Sequence, residues 1–271
     1  IEARFISGMT SETCLIWQVV PQMLRHRRTR PCALRAARRR LVQLHAQRTV
    51  TVGPHEEHRS TVVFLHGLGD TALGWCGAAE FWSQAMPHTK FILPTAPTIP
   101  VSINMKMEMP AWYDLVGLGT RADEPCDGLD GTSDAVASLL HAESEASGVP
   151  LSRTVLGGFS QGGATALYAG LAGGVHGLAG LLAMSAYLPR PRVVGARLRE
   201  PAAAPPVLML HGDADAMVRL EWAEESAETM RGHGIDCDLR VFGGLGHSAS
   251  EEELEVALEW LLRRLPLPRA A

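Results

Sequence analysis

From Arg25 to Arg48 the chain has no acidic residue, nowhere do two cysteines form a C-x-x-C pair, and between Gly162 and Pro189 no side chain carries a fixed charge. Each absence excludes something. The five cysteines, Cys14, Cys32, Cys76, Cys126 and Cys237, are odd in number and widely spaced. They suit neither a disulfide framework nor a zinc site, so a reducing compartment fits best and no metal or cofactor is expected. The uncharged stretch is long enough to cross a bilayer, yet Gly170, Gly173, Gly174 and Gly177 interrupt it. A buried helix, a glycine turn and a buried strand over residues 178–184 explain it better than a transmembrane span, and none is expected.

The acid-free segment belongs to a polypeptide unlike the rest. Residues 1–50 hold ten arginines against two glutamates, net +8, whereas residues 51–271 hold 15 basic and 27 acidic residues, net −12, which together give −4. A mildly acidic body gives no reason to expect nucleic acid as a partner. Within the basic segment Leu34, Ala37, Leu41 and Leu44 recur at helical spacing among Arg35, Arg38, Arg39 and Arg40. That is the physical form of an organelle presequence, a basic amphipathic helix poor in acids. A solvated arm, a polybasic patch for a membrane surface and sequence absent from the mature protein are the competing readings. The expectation is an Arg-rich extension over 1–48 and one catalytic domain over 49–271, a length that a single core can serve. The location expected is the cytoplasm, with a mitochondrion or plastid as the alternative if the extension targets.

The centre of the chain reads as strand, tight turn, helix. Residues 154–156 are apolar, Gly157 and Gly158 follow, then Phe159, Ser160, Gln161, Gly162 and Gly163, and residues 164–171 read as helix. This is the G-x-S-x-G pattern of a nucleophile elbow. A serine at such a tip takes a strained backbone, so Gly158 and Gly162 are needed to let strand and helix approach. Ser160 would then stand clear at the carboxyl end of a strand, with the Gln161 N–H at a helix start facing a developing oxyanion.

Other segments fall around it. Residues 49–52 suit an edge strand, and residues 61–65 a strand buried on both faces that runs into His66, Gly67, Leu68 and Gly69. A strand ending in H-G-x-G exposes backbone N–H groups at the sheet edge, with Leu68 N–H as the second oxyanion donor. Residues 75–86 read as helix and 90–93 as strand. Residues 94–110, with four prolines, read as a long loop ending near Met107, Trp112 and Tyr113, apolar side chains suited to lining a greasy pocket or to packing the loop on the core. Residues 131–148 read as helix capped by Thr132 or Ser133, residues 190–206 as loop, 207–210 as strand, 219–231 as helix, 238–242 as strand and 251–264 as an amphipathic helix. Alternation of this kind implies an α/β fold with a mostly parallel, doubly wound sheet and helices on both faces.

The chemistry assembles in the order serine, acid, histidine. A serine hydroxyl is a weak nucleophile at neutral pH and needs a base, and His247, in the glycine-flanked loop 243–248, is placed to serve. The histidine needs a carboxylate to fix its tautomer. Asp213 and Asp215 both follow the strand over 207–210; Asp213, directly after Gly212, suits turn-shaping, and Asp215 is better placed to reach the histidine loop.

Five segments also carry a resemblance. Residues 65–71 (Leu-His-Gly-Leu-Gly-Asp-Thr), the Met-Pro-Ala-Trp-Tyr-Asp run ending at Asp114, residues 156–163, residues 211–215 (His-Gly-Asp-Ala-Asp) and residues 246–248 are together similar to the acyl-protein thioesterase/lysophospholipase-carboxylesterase family. The match covers roughly residues 60–265 in order. It implies the α/β-hydrolase fold, Ser160, Asp215 and His247 as the triad, the Leu68 and Gln161 N–H groups as the oxyanion hole, and S-acylated proteins, lysophospholipids or simple esters as substrates. Two departures bear on the acyl channel and rim. Ala216 stands where the family often has proline after the acid, and Ser185-Ala186-Tyr187 replaces its serine-cysteine-tryptophan. A non-catalytic ligand-binding relative is the reading from another class, since fold does not fix function.

Overall fold

The computed structural model describes residues 49–117, 119, 124–198 and 203–267; the expectations for residues 1–48 lie outside them. Along the chain the strands are β1 (Val50–Val52), β2 (Ser60–Leu65), β3 (Thr89–Leu93), β4 (Thr98–Val101), β5 (Met107–Pro110), β6 (Thr154–Phe159), β7 (Gly180–Met184), β8 (Val207–Gly212) and β9 (Cys237–Phe242). Seven of them form one sheet in the order β1-β3-β2-β6-β7-β8-β9. All neighbours in it are parallel except β1, which runs antiparallel to β3 with Val50 opposite Leu93. The sheet is thus the mostly parallel, doubly wound one that the sequence implies.

Helices cover both faces: α1 (Cys76–Ala85), α2 (Leu129–Ser147), α3 (Gln161–Ala172), α4 (Pro191–Arg197), α5 (Leu220–Gly232) and α6 (Glu251–Arg264). The period of two along each strand divides the core between them. Val63 and Leu65 of β2 pack toward α2, α3 and α5, in a cluster that holds Leu140, Leu167 and Met230. Val62 and Phe64 point the other way, into a cluster with Trp82 of α1 and Trp260 of α6. Every residue from Gln161 to Leu171 is buried. That accounts for the uncharged stretch without a membrane, and among the described residues no helix is long and apolar enough to cross one.

Three local expectations are corrected. Residues 94–110 are not an irregular loop throughout, because β4 and β5 pair antiparallel there, Pro100 opposite Glu108 and Thr98 opposite Pro110. A two-stranded sheet is all edge, so both prolines are tolerated. Residues 191–197, read as loop, form α4, with Pro191 in its first turn where the missing N–H costs nothing. The cap of α2 is Gly128 at φ 95°, not Thr132 or Ser133, which lie buried inside the helix. Its other end stops as the sequence implies, on Gly148 at φ 74°.

Candidate active site

At the carboxyl end of β6 the chain turns at Ser160 with φ 54° and ψ −121°, a conformation that costs a non-glycine residue about 1–3 kcal/mol. Packing imposes it. A Cβ on Gly158 would run into the Gly162 backbone, and one on Gly162 into the carbonyl oxygens of Leu65 and His66. The turn is also tied at both ends, since Ser160 N–H donates to Met184 O at 2.8 Å and Ala164 N–H to Ser160 O at 2.9 Å. Ser160 is left partly exposed at the amino end of α3.

His247 comes from the loop between β9 and α6. Its Nε2 lies 3.0 Å from Ser160 Oγ and its Nδ1 2.7 Å from Asp215 Oδ2. The ring rests on Phe159, centroids 4.9 Å apart. Exposure falls along the chain of contacts, from the partly open serine through an 18% exposed imidazole to a fully enclosed Asp215 side chain. Such an arrangement can pass a proton from hydroxyl to imidazole while the carboxylate stabilises the charge that results.

Asp215 is held in place by its own loop. Its Oδ1 accepts from the Met217 and Val218 N–H groups at 2.8 and 2.9 Å. Burial works against its charge, but the bonds from His247, Val218 and Met217 outweigh it and keep the carboxyl below its ordinary value. Asp213 is exposed, and its Oδ1 accepts from Gly244 N–H at 2.6 Å. It ties the turn to the loop after β9, and the carboxylate bonded to His247 is that of Asp215.

The groups around the expected oxyanion donors are neutral. Gln161 opens α3, so its N–H is among those a helix start leaves without an intrahelical partner. On the β2 loop, Gly69 N–H is taken by Pro110 O at 2.8 Å, which leaves the adjacent Leu68 N–H as the donor to consider there. Ala96 N–H donates to His66 Nε2 at 2.9 Å, so His66 carries its proton on Nδ1 and donates it to Gly67 O at 2.7 Å. Burial holds the His66 pKa below its ordinary value. It serves as a neutral bracket for the loop.

Trp112 and Tyr113, which in the sequence suit either lining a substrate pocket or packing the loop on the core, are 1% and 0% exposed. The Trp112 indole N–H donates to His66 O at 2.7 Å, its backbone N–H to Gln161 Oε1 at 2.9 Å, and Gln161 Nε2 to Tyr113 O at 2.8 Å. The Tyr113 hydroxyl bonds that of Tyr187 at 2.7 Å. Both residues support the loops from behind and offer a substrate no surface. Met107, on β5, is 54% exposed.

Glu253 was missed by the sequence reading, although Ser250 with Glu253 three residues on is a capping-box signature. Glu253 N–H donates to Ser250 Oγ at 3.1 Å and Ser250 N–H to Glu253 Oε2 at 3.2 Å, three residues beyond His247. The carboxyl is wholly buried. Burial pushes its pKa up to about 7, opposed by the Ser250 bond and reinforced by the charge of Asp215. A cavity of about 200 Å³ lined by Met86, His88 and Leu262 lies at the amino ends of β2 and β3, the opposite edge of the sheet from Ser160, and plays no part in this site.

Known proteins share this arrangement of chain. The family described as phospholipase/carboxylesterase matches residues 46–263. The acyl-protein thioesterase 1 of Gibberella zeae is 41% identical over 219 residues, covering 78% of this chain and 92% of that protein. The acyl-protein thioesterase 1 homolog 1 of Dictyostelium discoideum is 36% identical over 211 residues, covering 77% and 92%. Among solved structures, acyl-protein thioesterase 2 of Zea mays superposes with a TM-score of 0.70 at 31% identity, over 81% of this chain and 99% of that one.

Proposed function

Because the chain belongs to the phospholipase/carboxylesterase family of α/β-hydrolases, we propose that it is a serine hydrolase that removes long acyl chains from protein thiols, with Ser160, His247 and Asp215 as its triad. The observation that carries this reading is the unbroken run of contacts Ser160 Oγ, His247 Nε2, His247 Nδ1, Asp215 Oδ2, at 3.0 and 2.7 Å. Ser160 Oγ attacks the thioester carbonyl while His247 Nε2 takes its proton. The C=O pair moves onto oxygen, where the Leu68 and Gln161 N–H groups receive it. Collapse expels the cysteine sulfur, which leaves with the proton from His247. Water then enters, gives a proton to His247 and attacks the acyl-enzyme, and the free fatty acid departs as Ser160 recovers its hydrogen.

The family's description favours a second substrate class, lysophospholipids or simple esters, which need the same triad. Both readings are tested in one experiment. A fluorophosphonate probe is expected to label the protein and not Ser160→Ala, and turnover of a palmitoyl thioester is expected to exceed that of a lysophospholipid. Faster turnover of the lysophospholipid would assign the second class. Labelling retained in Ser160→Ala would remove the serine from the mechanism, and a failure of the wild type to turn over any ester would make it a ligand-binding relative.

A further inference from the structure

Trp112 is one residue that touches both walls of the oxyanion site. Its indole N–H reaches His66 O, on the loop that carries Leu68 N–H. Its backbone N–H reaches the side chain of Gln161, whose own backbone N–H opens α3. Two parts of the chain about as far apart in sequence as β2 and α3 are thus joined through a third, independently of the sheet. The third part is itself fixed: Thr132 Oγ1 donates to Trp112 O, Gln161 Nε2 to Tyr113 O, and Gly69 N–H to Pro110 O. The His66 ring lies 5.1 Å from the indole, centroid to centroid, and is bracketed by Ala96 N–H and Gly67 O.

We propose that Trp112 is a positioning residue that sets the separation of the two oxyanion donors, acting as a strut between the His66 loop and the start of α3. The proposal rests on the reading of Leu68 and Gln161 as those donors. A donor pair stabilises the transition state only if both N–H groups stand at hydrogen-bond distance from the oxygen as charge develops on it. The ground-state carbonyl asks less of them, so a strut of fixed length matters chiefly for the step in which charge appears. The bonds Trp112 uses are neutral and buried, so nothing in the working pH range loosens them. An indole is also stiff, with two rotatable bonds and a donor at its far end, which suits it to span the gap and to hold it.

The test removes the indole donor and keeps an aromatic ring in its place. Trp112→Phe is expected to lower kcat about 10- to 100-fold per folded molecule, a fraction of what losing a donor outright costs, with KM unchanged. A long-chain trifluoromethyl ketone gives the second readout. Ser160 Oγ adds to its carbonyl carbon, the C=O pair becomes an alkoxide in the oxyanion site, and the serine proton passes to His247. Its Ki is expected to rise by the same factor as kcat falls, a match that a merely structural role would not produce. Thr132→Val removes only the bond to Trp112 O and is expected to give the same signature about threefold. It serves as the test if Trp112→Phe does not fold. Unchanged kcat per folded molecule, or a fall in kcat with the ketone's Ki unmoved, overturns the strut. Ser160→Ala as a control separates the two readings: an active Ser160→Ala removes the underlying mechanism, whereas an inactive one beside a normal Trp112→Phe removes the strut alone.

Discussion

The two halves of the site are made of different material. On the oxyanion side, His66, Trp112 and Gln161 are joined by neutral hydrogen bonds to backbone groups, all buried, and the one titratable ring among them is held uncharged. On the acid–base side, charge is buried and held in balance. Three hydrogen bonds hold the Asp215 carboxyl below its ordinary value, while burial, reinforced by the charge of Asp215, pushes Glu253 up to about 7. The first half supplies geometry that pH does not move. In the proposed mechanism the second supplies the proton acceptor, and there pH is expected to act.

Removing the acid–base half should have the largest effect. Ser160→Ala or His247→Ala is expected to cut ester turnover by ~10⁴-fold or more, because the members of such a unit fail together. A tenth of wild-type turnover in either variant would detach it from the reaction. Asp215→Asn is expected to fold and to lose ~10³ to 10⁴ in kcat, since the imidazole is left in the wrong tautomer. Asp213→Asn, which takes the charge from the oxygen that accepts from Gly244 N–H, is expected to lower stability while turnover per folded molecule stays near wild type. Exchange of those two outcomes would move the acid to Asp213.

A smaller effect separates the halves by pH. A carboxyl whose folded pKa is raised contributes stability that is complete below its unfolded value and lost as pH rises through the folded one. For Glu253 the window runs from 4.5 to about 7. Glu253→Gln, which keeps an oxygen for Ser250 N–H, is expected to gain on wild type across that window by on the order of 3 kcal/mol. Urea unfolding of the two proteins at pH 4.5 and at pH 7.5 measures this, and a constant difference between them would show that Glu253 ionises normally. Asp215→Asn should behave in the opposite sense, because the depressed pKa of Asp215 yields stability that disappears as pH falls. The smallest effect is expected from truncation at Arg48: unchanged kcat on a soluble ester, with loss of folding as the outcome that would join residues 1–48 to the core.

The sheet and the elbow were legible because they rest on repeating physical demands. Apolar strands such as residues 61–65 and 154–156 announce themselves by composition, and Gly158 and Gly162 follow from the approach of strand and helix. Short elements carry too few residues for a period, which is why the β4–β5 pair and α4 were read as loop. In both, proline sat where an edge or a first turn excuses its missing N–H. Trp112 and Tyr113 left two readings open for another reason. An aromatic residue in a functional loop looks the same in sequence whether it faces the ligand or holds the loop from behind, and only its bonds to His66, Gln161 and Tyr187 tell the two apart. Glu253 left a trace in the capping box, but its burial and the influence of Asp215 depend on parts of the chain far apart in sequence.

The antiparallel run of β1 has a bearing on residues 1–48. Val50 pairs with Leu93, the last residue of β3, so the chain comes into the sheet at the carboxyl ends of the parallel strands, the edge on which Ser160 stands. Only β3 and β2 lie between β1 and β6 in the sheet, a lateral distance of about 15 Å at the usual strand spacing. Whatever precedes residue 49, ten arginines included, therefore joins the described chain at the edge on which Ser160 stands. Any fusion or tag placed ahead of residue 49 would be attached at that same edge.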